Sequence, residues 1–430
     1  MARLSIRNGV FVSLLPELRV QRGDVLIEDG QITAIGDGVG QDVADSVDAR
    51  GALVLPGLVN AHTHLYSTLA AGMPGPSIAP TNFSEILERV WWRLDCALDE
   101  ESLEASALIG ALEAARSGVT VLMDHHASPS LIRGSLSVIA NALDSAGIGG
   151  VLCYETTDRG GPQAREAGLA ENASFIRLAA EQWNGRFRGM IGAHASFTLD
   201  DVTLGQLASL NDATGRGVHI HVAEDPVDFE RGAPVERLEK AKLLDGNTVI
   251  GHGVHLGAEA LRLVAERGSW LVHNTRSNMN NAVGYARLGV QGFGQLAVGT
   301  DGIGCDVLTE VRTSFLKARE EGLHDQCWAL PIRLLQGSLR LAEHHLGGLR
   351  GRFEPGAVGD VVVTNYVPPT PMNADNFVGH LLFGFDRSHI QSVWSDDRRV
   401  WPTSLDANEI ARQASVAAQK LWDRMEANDG

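Results

Sequence analysis

The chain is short of positive charge and of cysteine, and it has no long apolar run. Its 430 residues include 36 Lys and Arg against 53 Asp and Glu, a net charge of -17. A surface of that sign repels polyphosphates and anionic lipids, which excludes nucleic-acid tracking and membrane-surface binding as roles. The four cysteines, Cys96, Cys153, Cys305 and Cys327, are scattered, so no disulfide framework is expected. No apolar stretch reaches the ~20 residues that a membrane-spanning helix needs. Residues 1–9 show no apolar core of signal-peptide type. Together these absences predict a protein of the reducing cytoplasm, without nucleic-acid or membrane partners.

What is present is a packed core and 15 histidines. Hydrophobic residues make up 44% and charged residues 21%, which suits a globular chain. The length suits one large α/β barrel plus a smaller module. The first fifty residues read as short strands: Leu4-Ser5-Ile6-Arg7 alternates, and Asp29-Gly30 is a hairpin turn between two β-rich runs. From Leu53 the texture changes. Apolar runs at 53–59, 119–123, 149–153, 190–192, 218–222, 248–251, 270–272 and 297–299 alternate with helical spacing at 84–97, 101–116, 130–146, 166–183 and 258–266. Eight strands alternating with helices predict a (β/α)8 TIM barrel. Strand texture returns at 359–364 and 390–394, and residues 405–425 have helical spacing. The expected organisation is a small composite β-sandwich from both chain ends (1–55 and 354–403), a barrel over 56–353 and a C-terminal helix over 404–430. The turn Gly160-Gly161-Pro162 reads as a mobile loop after the third strand.

Four strand ends carry the chemistry. The first runs Leu58-Val59-Asn60-Ala61-His62-Thr63-His64. Residues i and i+2 of a strand share a face, so His62 and His64 aim two imidazoles at one point. The second is His219-Ile220-His221-Val222-Ala223-Glu224, where His221 is a third metal-ligand candidate and Glu224 lies just beyond the strand. His219, one layer deeper, reads as a hydrogen-bonded interior residue. The third is Ile250-Gly251-His252, and the fourth is Val298-Gly299-Thr300-Asp301. An acid directly after an apolar strand is costly unless it is paired or metal-bound. In a barrel all four would deliver His or Asp to the same C-terminal face.

These elements, with His273-Asn274-Thr275-Arg276-Ser277-Asn278, resemble the amidohydrolase superfamily in its cytosine-deaminase, guanine-deaminase and chlorohydrolase branch. Thr275 stands where that branch usually has Pro. The likeness runs over nearly the whole chain. It is greatest to the SsnA-type aminohydrolases, on the stretches Trp91-Trp92-Arg93-Leu94-Asp95, Asp124-His125-His126-Ala127-Ser128-Pro129, Glu155-Thr156-Thr157-Asp158-Arg159 and Arg276-Ser277-Asn278-Met279-Asn280-Asn281. The resemblance implies one divalent metal ion, Zn or Fe, held by His62, His64, His221 and Asp301. It has no lysine at the end of strand four, which argues against a carbamate-bridged pair of ions. It implies Glu224 as proton shuttle, His252 as stabiliser of developing charge, Asp301 as acceptor of a water proton and His194 as a substrate contact. The implied reaction is hydrolytic deamination of an amino-substituted nitrogen heterocycle, purine- or pterin-like, with release of ammonia. Hydrolysis of a ring amide or of a C–Cl bond at the same centre is the alternative. Family members are often homo-oligomers, and the tail helix with Trp422 and Met425 suits either a dimer interface or packing on its own barrel.

Specificity is less legible. His126 is preferred over His125 as the pocket-facing residue of strand two, because it shares a facing with Asp124. Glu155 suits a ring N–H or an amino group, or a salt bridge with Arg159. Arg276 and Asn278 follow strand seven, and Arg276 suits a substrate carbonyl or an acidic neighbour. Of Trp91 and Trp92, core packing is the plainer reading and stacking on a flat ring the sharper one. Residues 73–80, with three prolines, read as a covering loop after strand one or as a rigid surface turn.

Overall fold

The computed structural model describes residues 2–288 and 293–427. Eight parallel strands run in sequence order: Leu58–Thr63, Val119–His126, Gly149–Thr156, Ile191–Ala195, Val218–Val222, Val249–His252, Trp270–His273 and Leu296–Val298. Every residue of these strands is buried, because helices cover the outside and side chains fill the inside. The ring closes between the last strand and the first. Thr63 and Asp301 form a parallel bridge, and the carbonyl of His62 accepts from the amides of Thr300 and Asp301, both at 3.0 Å. Asn60 stitches the same seam: its amide donates to Thr300 Oγ1 at 2.7 Å, and its carbonyl accepts from the Thr300 amide at 3.1 Å. The protein is a (β/α)8 barrel.

Both chain ends build one further sheet. Its order is Arg398–Trp401, Ile390–Ser395, Val361–Thr364, Leu53–Pro56, Arg3–Ser13, Arg19–Glu28 and Gln31–Gly36, with Ser46–Asp48 also beside Arg3–Ser13. The long first strand has an irregularity between Ile6 and Gly9, and its two halves pair with different neighbours. Ile6, Phe11, Val25, Ile27, Val361, Val363 and Trp394 meet in its core. The expected sandwich is therefore one continuous sheet wrapped on an apolar centre.

The run 53–59, which reads as a single strand, is divided at Gly57. Leu53–Pro56 pairs antiparallel with Val361–Val363 in the terminal sheet, and Leu58–Thr63 enters the barrel. Asp360 ties the two bodies. Its carbonyl accepts from Gly57 N, and its carboxylate accepts from Thr120 Oγ1 (3.0 Å), Arg350 Nη1 (2.9 Å) and the Asp396 amide (3.0 Å).

Two other expectations change, and the tail helix takes one of its two readings. Gly160-Gly161-Pro162 is no free loop. It starts the helix Gly161–Glu181, with Pro162 in the first turn, where its missing N–H costs nothing. The 84–97 stretch is a helix with a wide π-turn at its middle, Leu87–Trp91, flanked by Phe83–Ile86 and Trp92–Ala97. Such turns shift the helix register locally and often mark functional sites. The tail helix Ala407–Ala427 packs on its own barrel, beside Glu100–Arg116. Ala414, Ala417, Leu421 and Met425 are buried, Trp422 Nε1 donates to Leu69 O at 3.1 Å, and Arg424 Nε donates to Ala97 O at 2.8 Å. Among the described residues no helix is long and apolar enough to cross a membrane.

Closure leaves no space at Gly299. A Cβ there would lie 2.7 Å from His62 Cβ and 2.8 Å from His62 O. Gly299→Ala is expected to destabilise the fold by about 1–3 kcal/mol through overpacking. Denaturant melts of the variant check this, and an unchanged midpoint would refute it.

Candidate active site

The C-terminal rim of the barrel gathers His62, His64, His221 and Asp301. Their ligand-type atoms lie within 4.8 Å of one another. His221 Nε2 is 3.2 Å from both His62 Nε2 and His64 Nε2, and Asp301 Oδ1 is 3.4 Å from His62 Nε2 and 2.8 Å from His64 Nε2. A tetrahedral ion with bonds of about 2.05 Å has ligand–ligand edges of roughly 3.3 Å, so the spacing suits one divalent ion. The outer nitrogens are engaged too. His64 Nδ1 donates to His125 O, His221 Nδ1 donates to His194 O at 2.9 Å, and His62 Nδ1 meets His219 Nε2 at 2.8 Å. Holding the far nitrogen fixes each ring's direction and leaves the inner lone pair for a metal.

Charge agrees with that donor set at His62 and His221, while Asp301 holds a proton on His64 that a metal ion would have to displace. Burial lowers His62 to about 3 against the pull of Asp301, and it holds His221 well below its ordinary value. These imidazoles are neutral, the form that binds metal. Burial would also lower His64, but Asp301 overrides it and draws His64 up to about 9. Burial would raise Asp301, yet His64 and His62 keep it well below the usual carboxylate range.

Three rim residues have left-handed backbone: Ala223 (φ 51), His252 (φ 72) and Asp301 (φ 54). Non-glycine residues adopt this region at a cost of about 1–3 kcal/mol, which their packing must offset. The turns at these strand ends carry the side chains of Glu224, His252 and Asp301 across the rim. His252 Nε2 thereby reaches 3.4 Å from Glu224 Oε2 and 3.9 Å from Asp301 Oδ2. Its Nδ1 donates to Asn278 Oδ1 at 2.8 Å, which fixes the ring with Nε2 facing inward. Burial pushes Glu224 up to about 7 despite the nearby His252.

The other candidates divide. A partly enclosed cavity of about 790 Å3, counted to its open mouth, is lined by His64, Glu155, His194, His221, Glu224 and Asp301 among others. Glu155 spans His125 Nδ1 (3.2 Å) and His194 Nε2 (3.4 Å) rather than Arg159. Arg159 pairs with Asp95 at 2.6 Å. His126 is not in the cavity wall. It turns to Ser128 Oγ (2.7 Å) among Tyr66 and Tyr154, because strand two directs it between strand and helix. His125 faces inward but sits beneath the floor, where its Nε2 lies 3.1 Å from Ala193 O and 3.0 Å from His219 O. Arg276 is also absent from the wall: its Nε donates to the buried Glu310 at 2.5 Å and its Nη2 to Ile303 O. Asn278 reaches the site only through His252. Residues 73–80 do not line the cavity. Its cover is the π-turn helix, which presents Phe83, Leu87, Trp91 and Trp92.

Sequence reasoning gave no role to Tyr66, Asp95, Ser277 or Asn281, which all line the cavity. Asn281 Nδ2 donates to Glu224 Oε1 at 3.2 Å, and the Ser277 hydroxyl donates to Asp301 Oδ2. The signal was there: 277 and 281 are one helical turn apart and share a face.

Two outcomes follow. Chelating the metal should lower the melting temperature, and His221→Ala should lose metal measured by elemental analysis; equal metal content would refute the cradle. Asp124 is fully buried with Oδ2 unpartnered, and burial raises it to about 7. A raised carboxyl is neutral in the folded state, so its cost to stability grows as pH rises from about 4 to about 7. Asp124→Asn keeps the acceptor for the Leu65 amide and should gain stability relative to the parent by a few kcal/mol between pH 4 and pH 8. A pH-independent difference in paired melts would contradict this.

Comparison with known proteins agrees with the geometry. Residues 53–400 match the model of the amidohydrolase family. A 5-methylthioadenosine/S-adenosylhomocysteine deaminase of Natronomonas pharaonis is 29% identical, over 99% of this chain and 100% of its own. A 5'-deoxyadenosine deaminase of Methanothermobacter thermautotrophicus is 30% identical, over 94% of this chain and 95% of its own. The crystal structure of an adenosine deaminase from Xanthomonas campestris with bound Zn superposes with a TM-score of 0.82 at 22% identity, covering 99% of this chain and 98% of that one. The chain belongs to the amidohydrolase family, and it is a hydrolase of C–N bonds.

Proposed function

We propose that the protein is a zinc-dependent hydrolytic deaminase of an aminopurine nucleoside. The observation that carries this reading is Glu224, a buried carboxyl in the cavity wall beside the His/Asp cradle, with Oε2 3.4 Å from His252 Nε2. The names of the relatives support the purine, and the three-His, one-Asp set at tetrahedral spacing supports zinc.

His62, His64, His221 and Asp301 would hold a divalent ion, which would supply Lewis acidity and lower the pKa of water there. The chain's own residues do the rest. Asp301, held ionised and oriented by Ser277, accepts a proton from the attacking water. Glu224, held by Asn281, gives its proton to the ring nitrogen beside the amino-bearing carbon. Left as a carboxylate, Glu224 then takes the proton of the new C–OH group and hands it to the amino group, so the C–N bond breaks, ammonia leaves and a carbonyl remains. His252, fixed by Asn278, faces the same point and stabilises the charge that develops on the attacked carbon's substituent.

Glu224→Gln should keep its metal and lose about 10²–10⁴ in kcat. The check is ammonia release from 5'-deoxyadenosine, 5'-methylthioadenosine and a panel of amino-heterocycles, with metal quantified. Full activity of the metal-loaded variant would remove Glu224 from the mechanism. No ammonia from any member of the panel would remove the deaminase reading.

A further inference from the structure

The charge of the cavity wall is one-sided. Asp95, Glu155, Glu224, Asp225, Asp228 and Asp301 line it, and among the described residues no Lys or Arg does. The residues outside the description (1, 289–292 and 428–430) contain no Lys or Arg either. The guanidiniums behind the wall are engaged. Arg159 lies 4.5 Å over the Trp92 ring and pairs with Asp95, Arg276 is held by Glu310, and Arg237 is held by Ser196 O, Leu199 O and Asp201. The mouth itself is apolar, with Phe83 and Leu87 clustered against Trp91, Trp92, Phe197 and Val227. Asp225 stands half-buried among them. A second observation points to a ligand at this wall. Asp95 is buried and its Oδ1 has no hydrogen-bond partner apart from the weak thiol donor of Cys96, while Trp92 Nε1 is unpartnered as well.

We infer that this cavity takes a heterocycle whose far end is uncharged and apolar, and that it discriminates against substrates carrying an anionic tail. The inference rests on the deaminase reading for the orientation of the ring. With the amino-bearing carbon at Glu224, the 5' end of a nucleoside lies at the opposite end of the molecule, in the Phe83–Val227 mouth. An alkyl or thioether group there buries against aromatic side chains. A carboxylate or phosphate there meets Asp225 and finds no Lys or Arg in the wall; Arg231, outside it, donates from Nε to the Phe197 carbonyl at 2.7 Å. A divalent ion at the cradle offsets charge at the floor, not at the mouth. An ammonium group finds acids in the wall, so the carboxylate of an amino-acid tail is the part that goes unserved.

The test compares 5'-deoxyadenosine, 5'-methylthioadenosine, S-adenosylhomocysteine and adenosine 5'-monophosphate on the zinc-loaded protein. Turnover gives kcat/KM, and calorimetry on zinc-loaded Glu224→Gln gives Kd without turnover. The first two should exceed the monophosphate by at least about 100-fold in both measures, with S-adenosylhomocysteine between. Val227→Lys, which puts a cation into the mouth, should narrow the gap to the monophosphate at least about tenfold. Binding of the monophosphate within about threefold of 5'-methylthioadenosine overturns the inference. The expected order of Kd with no ammonia released leaves the inference standing and removes the deaminase reading. Failure of all four to bind removes both.

Discussion

The site depends on closing the barrel between its first and last strands. Ordinary strand pairing continues around seven interfaces, but strand eight is only three residues long and the seam must be finished by other means. The His62 carbonyl accepts from two successive amides, and the Asn60 side chain both donates to and accepts from Thr300. Because His62 and Asp301 are themselves ligand candidates, the bonds that shut the barrel also set the distance between the first two corners of the cradle. Gly299, with no room for a Cβ, is a consequence of that contact.

From this seam the remaining parts follow in layers. Beneath the cradle, His219, His125 O and His194 O hold the outer nitrogens, so the rings converge without needing an ion to pull them together. Above it, left-handed turns at Ala223, His252 and Asp301 carry functional groups across the rim. The shift in Glu224 comes first from burial, and Asn281 and His252 moderate it. Several carboxyls are thus held where water is scarce, and each has a stated compensation: a backbone amide for Asp124, an arginine for Asp95, imidazoles for Glu155.

The cover above the cavity is a device of a different kind. A helix that widens into a π-turn at Leu87–Trp91 changes register, so that Trp91 and Trp92 both reach the wall. The composite sheet and the tail helix sit away from the chemistry and act by bracing. Asp360 locks the sheet to the barrel base, and Trp422 and Arg424 lock the tail to the segments after strand one.

The barrel, the terminal sheet, and the convergence of His62, His64, His221, Glu224, His252 and Asp301 on one rim were all legible in the sequence. The reason is local: the period of two on a strand sets facing, and a barrel puts every strand's C-terminal end on one side. Facing past the strand end was not legible. His126 and Arg276 read as pocket residues, and the structure sends them to Ser128 and Glu310. Asp95, Ser277 and Asn281 stand in stretches that carry the family resemblance but had no role of their own, and the structure puts them in the wall. Once a chain leaves its strand, direction is decided by turns of positive φ, by a π-turn and by whichever partner a buried polar group finds. Those are contacts between residues distant in sequence, and only the tertiary structure brings them together.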